Sequence, residues 1–328
     1  MTNTGSLGVR EGLGEMLNLP HRIRDKRGEF LLFAVTPPRG STAPERVADI
    51  ADRTLSRLRS LAPDGLVIYD IDDESDRNPS DRPFPFLPTL DPDDYFSDYL
   101  STLGLPALIY RAVGKYRREE IAAWAARQDP RSSLTVFVGS SSSDRDVDTS
   151  LADAHRIRAE AAPELLVGGV AIPERHASRG DEHLRMLSKQ DSGCNFFVTQ
   201  VIYDVNAAKN LVSDYHYACL RNGLAPVPIV FTFSVIGGQR TLDFMRWLGV
   251  EVPRWIENDV THADNPLLAT HEHSLEAARD LVSYCRRLGV PVGLNVESVS
   301  TRLVEIEQSI ELAKALKSLL KRELAANR

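Results

Sequence analysis

The sequence predicts a (β/α)8 barrel, and three observations carry that expectation. Eight short runs of β-forming apolar residues succeed one another, each followed by at least one helical pattern. The alternation runs with little interruption from Glu29 onward, over about the length such a barrel needs. No Gly-x-Gly-x-x-Gly follows any of the runs, which disfavours a doubly wound dinucleotide-binding sheet.

In chain order, residues 1–28 read as an N-terminal extension, with an amphipathic piece over Glu11–Leu19 closed by Pro20. Residues 29–328 read as one barrel domain. Phe30–Val35 is the first strand, stopped by Thr36-Pro-Pro-Arg-Gly, and Val47, Ile50, Leu55, Leu58 and Leu61 mark a helix over Glu45–Leu61. Gly65–Ile71 is the second strand, followed by an Asp/Pro-rich loop and a short helix over Asp93–Leu103. Pro106–Tyr110 and Leu134–Val138 are strands three and four, separated by a helix over Arg118–Arg127. A helix over Asp148–Ala161 leads to strand five, Leu165–Ala171, and a helix over Asp181–Lys189 leads to strand six.

Strand six lies in Gly193–Asp204, where Phe196, Phe197 and Val198 form a buried-type run that Thr199 and Gln200 interrupt. Asp204 stands in N-cap position for a helix over Asn206–Arg221, which Gly223 closes. Val227–Phe233 is strand seven, followed by helices over Arg240–Leu248 and Glu276–Leu288. Val292–Val296 is strand eight, and a long helix over Thr301–Leu324 ends the pattern.

Composition narrows the class. With 42% hydrophobic and 26% charged residues the chain has the make-up of a soluble enzyme. A net charge of −7 argues against a surface that is a nucleic-acid footprint. No apolar run reaches the roughly 20 residues of a membrane span, and the N-terminus lacks a signal-peptide pattern. The three cysteines are far apart without Cys-x-x-Cys spacing, which fits a reducing compartment. A cytoplasmic protein is expected, either monomeric or a homo-oligomer.

In a (β/α)8 barrel the chemistry sits at the carboxyl ends of the strands. That places Asp70, Ser140, Ser141, Glu174, His176, Gln200, Asn295 and Glu297 at the rim. Thr199 and Gln200 interrupt an apolar strand and are candidate substrate contacts. Pro173-Glu-Arg-His176 brings an acid, a base and an imidazole together after strand five. The serines of Gly139-Ser-Ser-Ser-Ser143 could bond a phosphate or form a plain loop. Gly237-Gly238 could likewise receive a phosphate or be a simple turn. Asp70-Ile-Asp-Asp-Glu-Ser-Asp76 reads as a solvated acidic loop rather than a cation site. His271-Glu-His273 lacks the spacing that puts two imidazoles on one helix face, so no metal site is expected.

Several segments in order resemble the methylenetetrahydrofolate reductase family. Val198-Thr-Gln-Val-Ile-Tyr-Asp204 is similar to its Thr-Gln-aromatic-Asp segment. Ala171-Ile-Pro-Glu-Arg-His176 is similar to its strand-five segment, and Thr36-Pro-Pro-Arg39 to the end of its first strand. Val252-Pro-Arg-Trp-Ile256 and Gly289-Val290 fit as well, so the likeness runs from about residue 30 to 320. It implies a barrel enzyme that uses FAD to carry a hydride from NAD(P)H to 5,10-methylenetetrahydrofolate.

On that resemblance Gln200 meets the pterin edge, because a carboxamide donates and accepts together. His176 lines the flavin site, Lys189 faces its pyrophosphate, and Glu182 and Arg185 lie nearby. The departures are specific. Ala34 stands where the family has its glutamate general acid, and Gly139-Ser-Ser141 where it has Arg-Gly-Asp. Tyr69 replaces a strand-two threonine, and Ile172 a flavin-site tyrosine. Alanine cannot donate a proton, so Glu174, Asp70 and Glu297 are the candidate catalytic carboxylates, in that order. The alternatives are a flavin-free lyase or one-carbon transfer enzyme, and an inactive ligand-binding homologue.

Overall fold

The computed structural model describes residues 18–73, 80–139 and 147–325. Its centre is a closed barrel of parallel strands in the order β1-β2-β3-β4-β5-β6-β7-β8. The strands are β1 (Leu31–Val35), β2 (Gly65–Ile68), β3 (Ala107–Ala112) and β4 (Ser133–Val138). They continue as β5 (Leu166–Ala171), β6 (Phe196–Val201), β7 (Ile229–Phe233) and β8 (Val292–Val296).

Alternation along each strand sorts its side chains between two apolar layers. Phe30, Leu32, Val67, Leu108, Leu134, Val136, Phe196 and Val198 fill the barrel interior. Leu31, Leu66, Ile109, Val167, Phe197 and Leu294 face the surrounding helices. Glycine makes room for the largest interior rings. A Cβ at Gly168 would collide with the Phe196 ring, and one at Gly293 with Phe30. Each ring fills the space a neighbouring strand leaves empty.

The amino end of the barrel is stoppered by α1 (Leu19–Arg24), whose Leu19 and Ile23 join the interior cluster at 1% exposure each. Pro20 opens this helix instead of closing one, behind an Asn18 side chain that accepts from His21 N. Residues 18–28, read as part of an extension, thus contribute to the barrel interior. The piece expected over Glu11–Leu19 lies largely outside the described residues.

The remaining helices are α2 (Pro44–Leu61), α3 (Pro92–Tyr95), α4 (Arg118–Arg127) and α5 (Leu151–Ala161). After these come α6 (Pro173–Arg179), α7 (Glu182–Asp191), α8 (Val205–Arg221) and α9 (Gln239–Trp247). The chain continues through α10 (Arg254–His262), α11 (Pro266–Leu288) and α12 (Leu303–Ala325). The helical spacing of α2 buries Val47, Ala51, Leu55, Leu58 and Leu61 as its pattern requires.

Some elements differ from expectation. Strand two ends at Ile68, because Tyr69 and Asp70 turn to side-chain partners. The expected helix over Asp93–Leu103 is one α turn, a π turn over Phe96–Leu100 and a 3-10 turn over Ser101–Leu103. Pro173–Arg179 is helical where a loop was expected, with proline in the first turn, where its missing N–H costs no bond. The helix expected from Glu276 begins at Pro266, capped by Asn265, so His271 and His273 lie inside it.

Candidate functional site

The carboxyl ends of β8, β1 and β2 carry the most distinctive chemistry. Strands β1 and β8 pair as Leu31–Leu294, Leu32–Asn295 and Phe33–Val296. One residue further, Ala34 comes level with Glu297. Ala34 belongs to the interior cluster, so it faces the barrel axis.

Glu297 accepts a short hydrogen bond from the Tyr69 hydroxyl. Asn295 Nδ2 donates to that hydroxyl at 3.4 Å and to Thr232 Oγ1 at 3.3 Å, linking β8, β2 and β7 beneath Glu297. The Asn295 Oδ1 is buried without a partner. Tyr110 closes the group from β3, its ring edge-on to Tyr69 at 4.9 Å.

Glu297 keeps some solvent contact as a residue, but burial of its carboxyl raises its pKa to about 7, against the lowering effect of the Tyr69 bond. Burial first, and then the Glu297 charge, push the Tyr69 hydroxyl well above its usual value. The pair can therefore hold an exchangeable proton near neutrality.

The segment over residues 80–90 joins the loop after β1 to α9. It pairs with the loop after β1 through Gly40 N to Pro88 O and Leu90 N to Pro38 O, both 2.9 Å. It also reaches α9, where Trp247 Nε1 donates to Ser80 O at 2.9 Å and Arg240 Nη2 to Pro83 O at 3.0 Å. Phe84 meets Phe244 edge-on at 5.1 Å, and the Arg82 guanidinium lies 5.2 Å from the Trp247 ring centroid.

Glu174 lies on the other side of the rim, on α6. Burial raises its pKa to about 7, against the lowering effect of backbone hydrogen bonds from its own N–H and from Glu251, with smaller raising effects from the Asp204 and Glu251 charges. Its Oε2 is buried without a partner. Gln200 is half-buried, and its Nε2 donates to the carbonyl of Leu248, the C-cap of α9, at 2.6 Å. Its oxygen and second N–H have no partner among the described residues. Between Val198 and Val201 the ladder to β7 slips by one residue. Thr199 repairs that bulge, its Oγ1 accepting from Thr232 N at 3.1 Å. The hydroxyl expected to touch substrate therefore holds β6 to β7 instead.

Asp70 is engaged on both oxygens. One receives Lys115 Nζ, and the other receives Ala112 N and the Tyr116 hydroxyl, each at 2.9 Å. Nearby, Arg111 donates to Asp91 and to the Tyr116 hydroxyl. This network ties β2 to β3, and neither Asp70 oxygen is left open.

The residues expected to hold a flavin do not converge on the mouth. His176 is buried at 5% exposure and its Nε2 lies 3.0 Å from Asp214 Oδ2 on α8. Glu182 is buried, accepts Ile172 N at 3.2 Å and pairs with Arg175 at 3.0 Å and Arg185 at 3.9 Å. Lys189 donates to Val170 O, and its aliphatic chain lies against Gly169 of β5. Burial lowers the Lys189 pKa, against the raising effect of Glu182. Lys189 is tied to a β5 carbonyl, Glu182 to Ile172 N and two arginines, and His176 Nε2 to Asp214, all between β5 and the helices outside it, so the set does not fit a flavin pyrophosphate.

Ser140 and Ser141 lie outside the described residues. The Gly237-Gly238 turn does not offer a phosphate cradle either. A Cβ on Gly237 would strike the buried Glu305 carboxylate, which accepts from Thr241 Oγ1 at 3.0 Å and thus puts negative charge at the turn. Of the acidic run after β2, Asp70 is engaged as described, and residues 74–79 are outside the described residues.

The sequence placed Glu297 last among the candidate acids. The signal that raises it is the register of β1 against β8, which becomes readable only once the strands are paired. Tyr69 was seen only as a departure, and its bond to Glu297 depends on the same closure.

A family model described as methylenetetrahydrofolate reductase matches residues 140–302. A solved structure of an uncharacterized protein from Clostridium thermocellum that binds two copies of 5-methyl-5,6,7,8-tetrahydrofolic acid is 40% identical, with a TM-score of 0.81. The alignment covers 92% of this chain and 99% of that one. A GH113 β-1,4-mannanase shares the fold alone, at 10% identity and a TM-score of 0.53, over 90% of this chain and 99% of that one. No curated protein matches.

Proposed function

The chain belongs to the methylenetetrahydrofolate reductase family, and from that premise we propose that it binds a reduced folate in the mouth of its barrel, with Glu297 as the proton donor to the folate's one-carbon bridge. The observation that carries this reading is the buried Glu297–Tyr69 pair, which lies one residue beyond the last pair, Phe33–Val296, of the β1–β8 ladder. A carboxyl titrating near 7 and bonded to a tyrosine is suited to general acid chemistry at neutral pH. The pterin's donor and acceptor edge is complemented by Gln200, with its oxygen and second N–H. The folate-binding relative supports the ligand class.

The reaction proposed takes its hydride donor from the family and its proton donor from this rim. Glu297 gives its proton to N10 of 5,10-methylenetetrahydrofolate as the bond from the methylene carbon to N10 breaks, leaving a 5-iminium cation. A hydride from NADH or NADPH then adds to that carbon, forming 5-methyltetrahydrofolate and oxidised nicotinamide. Glu297 regains a proton from water. The flavin set does not fit, so no step is routed through FAD.

The test is nicotinamide oxidation by purified protein, with and without 5,10-methylenetetrahydrofolate, beside calorimetric binding of 5-methyltetrahydrofolate. Folate-dependent oxidation that Glu297→Gln removes supports the reading. A second reading is a folate-binding protein without turnover, favoured by the engagement of the expected flavin contacts elsewhere. Binding with no oxidation of either nicotinamide selects it. Absence of binding overturns both.

A further inference from the structure

Outside the mouth, one group of side chains has no role in the folate reading. His176 on α6, His183 on α7 and Asp214 on α8 each turn a ligand-type atom toward a common point, all within 4.8 Å of one another. We propose that these three residues bind one divalent transition-metal ion of the class that imidazole and carboxylate ligands select, such as Zn2+, Co2+ or Ni2+.

The geometry converges before any ion is present. His176 Nε2 and Asp214 Oδ2 are 3.0 Å apart, and the two imidazoles cross edge-to-face with centroids 5.3 Å apart. Ligand bonds of about 2.0–2.1 Å place tetrahedral neighbours roughly 3.4 Å apart. Small side-chain rotations bring the trio to that spacing. Asp214 has 56% of its side chain exposed, which gives the ion an entry path and leaves room for water to complete the coordination.

The cluster is poorly satisfied as a hydrogen-bond network alone. His176 is buried, and its Nδ1 has no partner; His183 Nδ1 is likewise buried and unpartnered. A neutral imidazole has one acceptor nitrogen, and two such rings beside a carboxylate form a donor set for a cation. The nearby guanidiniums of Arg175 and Arg185 do not compete for Asp214, because they pair with the buried Glu182.

The backbone accounts for the convergence. Gly180 takes a left-handed conformation, φ 71°, between α6 and α7, so the chain reverses and His183 returns against His176. Asp214 lies nine residues beyond Val205, the first residue of α8, or about 14 Å along that helix from the rim. The ion therefore sits in the helical layer, where it clamps the α6–α7 pair to α8 behind β5 and β6. Its role is stabilisation of that wall rather than contact with folate.

The test uses the full chain, stripped with a chelator and titrated with Zn2+ by calorimetry and with Co2+ by visible absorption. The expected result is one equivalent bound, a rise in Tm, and Co2+ ligand-field bands. His183→Ala and Asp214→Ala each remove the bands and weaken binding by at least the roughly tenfold that loss of even an outer partner costs. Both positions are partly or largely exposed, so the variants keep the fold, which the Tm of the metal-free forms verifies. His271→Ala, at a histidine bonded to Gln308 elsewhere, leaves binding unchanged. Absence of binding, or equal binding by the wild type and both cluster variants, overturns the proposal. Loss of binding in His271→Ala overturns it as well.

Discussion

Asp70 and Glu297 are both carboxylates at the carboxyl rim, one following Tyr69 in the chain and the other bonded to it. Asp70 is held by an ammonium, a backbone N–H and a phenol, so both its oxygens are engaged and it fastens β2 to β3. Glu297 is held by a tyrosine hydroxyl with no cation bonded to it among the described residues, and burial raises its pKa to about 7. The difference shows how one rim uses two acids. A carboxylate surrounded by compensating charge is structural, and a carboxylate short of it keeps a proton that chemistry can use.

Exchanging the roles of the two acids by mutation is the sharpest way to break this comparison. Glu297→Gln preserves shape and removes the proton donor, so folate-dependent nicotinamide oxidation falls by about 10²–10⁴-fold in steady-state assays. Folate affinity in the same variant changes far less. Asp70→Asn gives the reverse pattern. Removing one partner of a buried pair costs about 3 kcal/mol, read by urea unfolding, while turnover per folded molecule is retained. If Asp70→Asn abolishes turnover in folded protein, the assignment of roles is wrong.

Asn295→Ala tests the floor beneath Glu297. It deletes the bonds to Tyr69 and Thr232, and folate affinity drops about tenfold, near 1.4 kcal/mol, by calorimetry.

The smallest effect is in the pH dependence of stability. Glu297 and Glu174 both titrate higher when folded than their ordinary 4.5. The folded chain therefore binds more protons, and their contribution is complete below about pH 4 and lost as the pH rises through about 7. Glu297→Gln flattens that slope between pH 5 and 8, on the order of 1 kcal/mol, in unfolding free energies measured across the range.

The barrel was legible because short apolar runs and period-3.6 patterns report burial locally, as Val292–Val296 and the spacing of Val47 to Leu61 show. Asp204 was legible as an N-cap for the same reason, accepting from Asn206 N and Ala207 N. The bonds that engage Thr199 and Asp70 were not legible because their partners lie elsewhere in the chain: Thr232 on β7 for the one, Lys115 and Tyr116 for the other. The level placement of Ala34 and Glu297 was hidden for a related reason. Strands β1 and β8 are the two ends of the sheet in sequence, and only closure sets their register. His176, His183 and Asp214 come together only through the reversal at Gly180 and the packing of α8, and no spacing rule joins them.

The central claim is that Glu297 holds a proton near neutrality, and a carbon-13 NMR titration of carboxyl-labelled glutamate tests it most directly. The account predicts a resonance with its midpoint near pH 7 that disappears in Glu297→Gln. A Glu297 resonance titrating near the ordinary glutamate value of about 4.3 would contradict it.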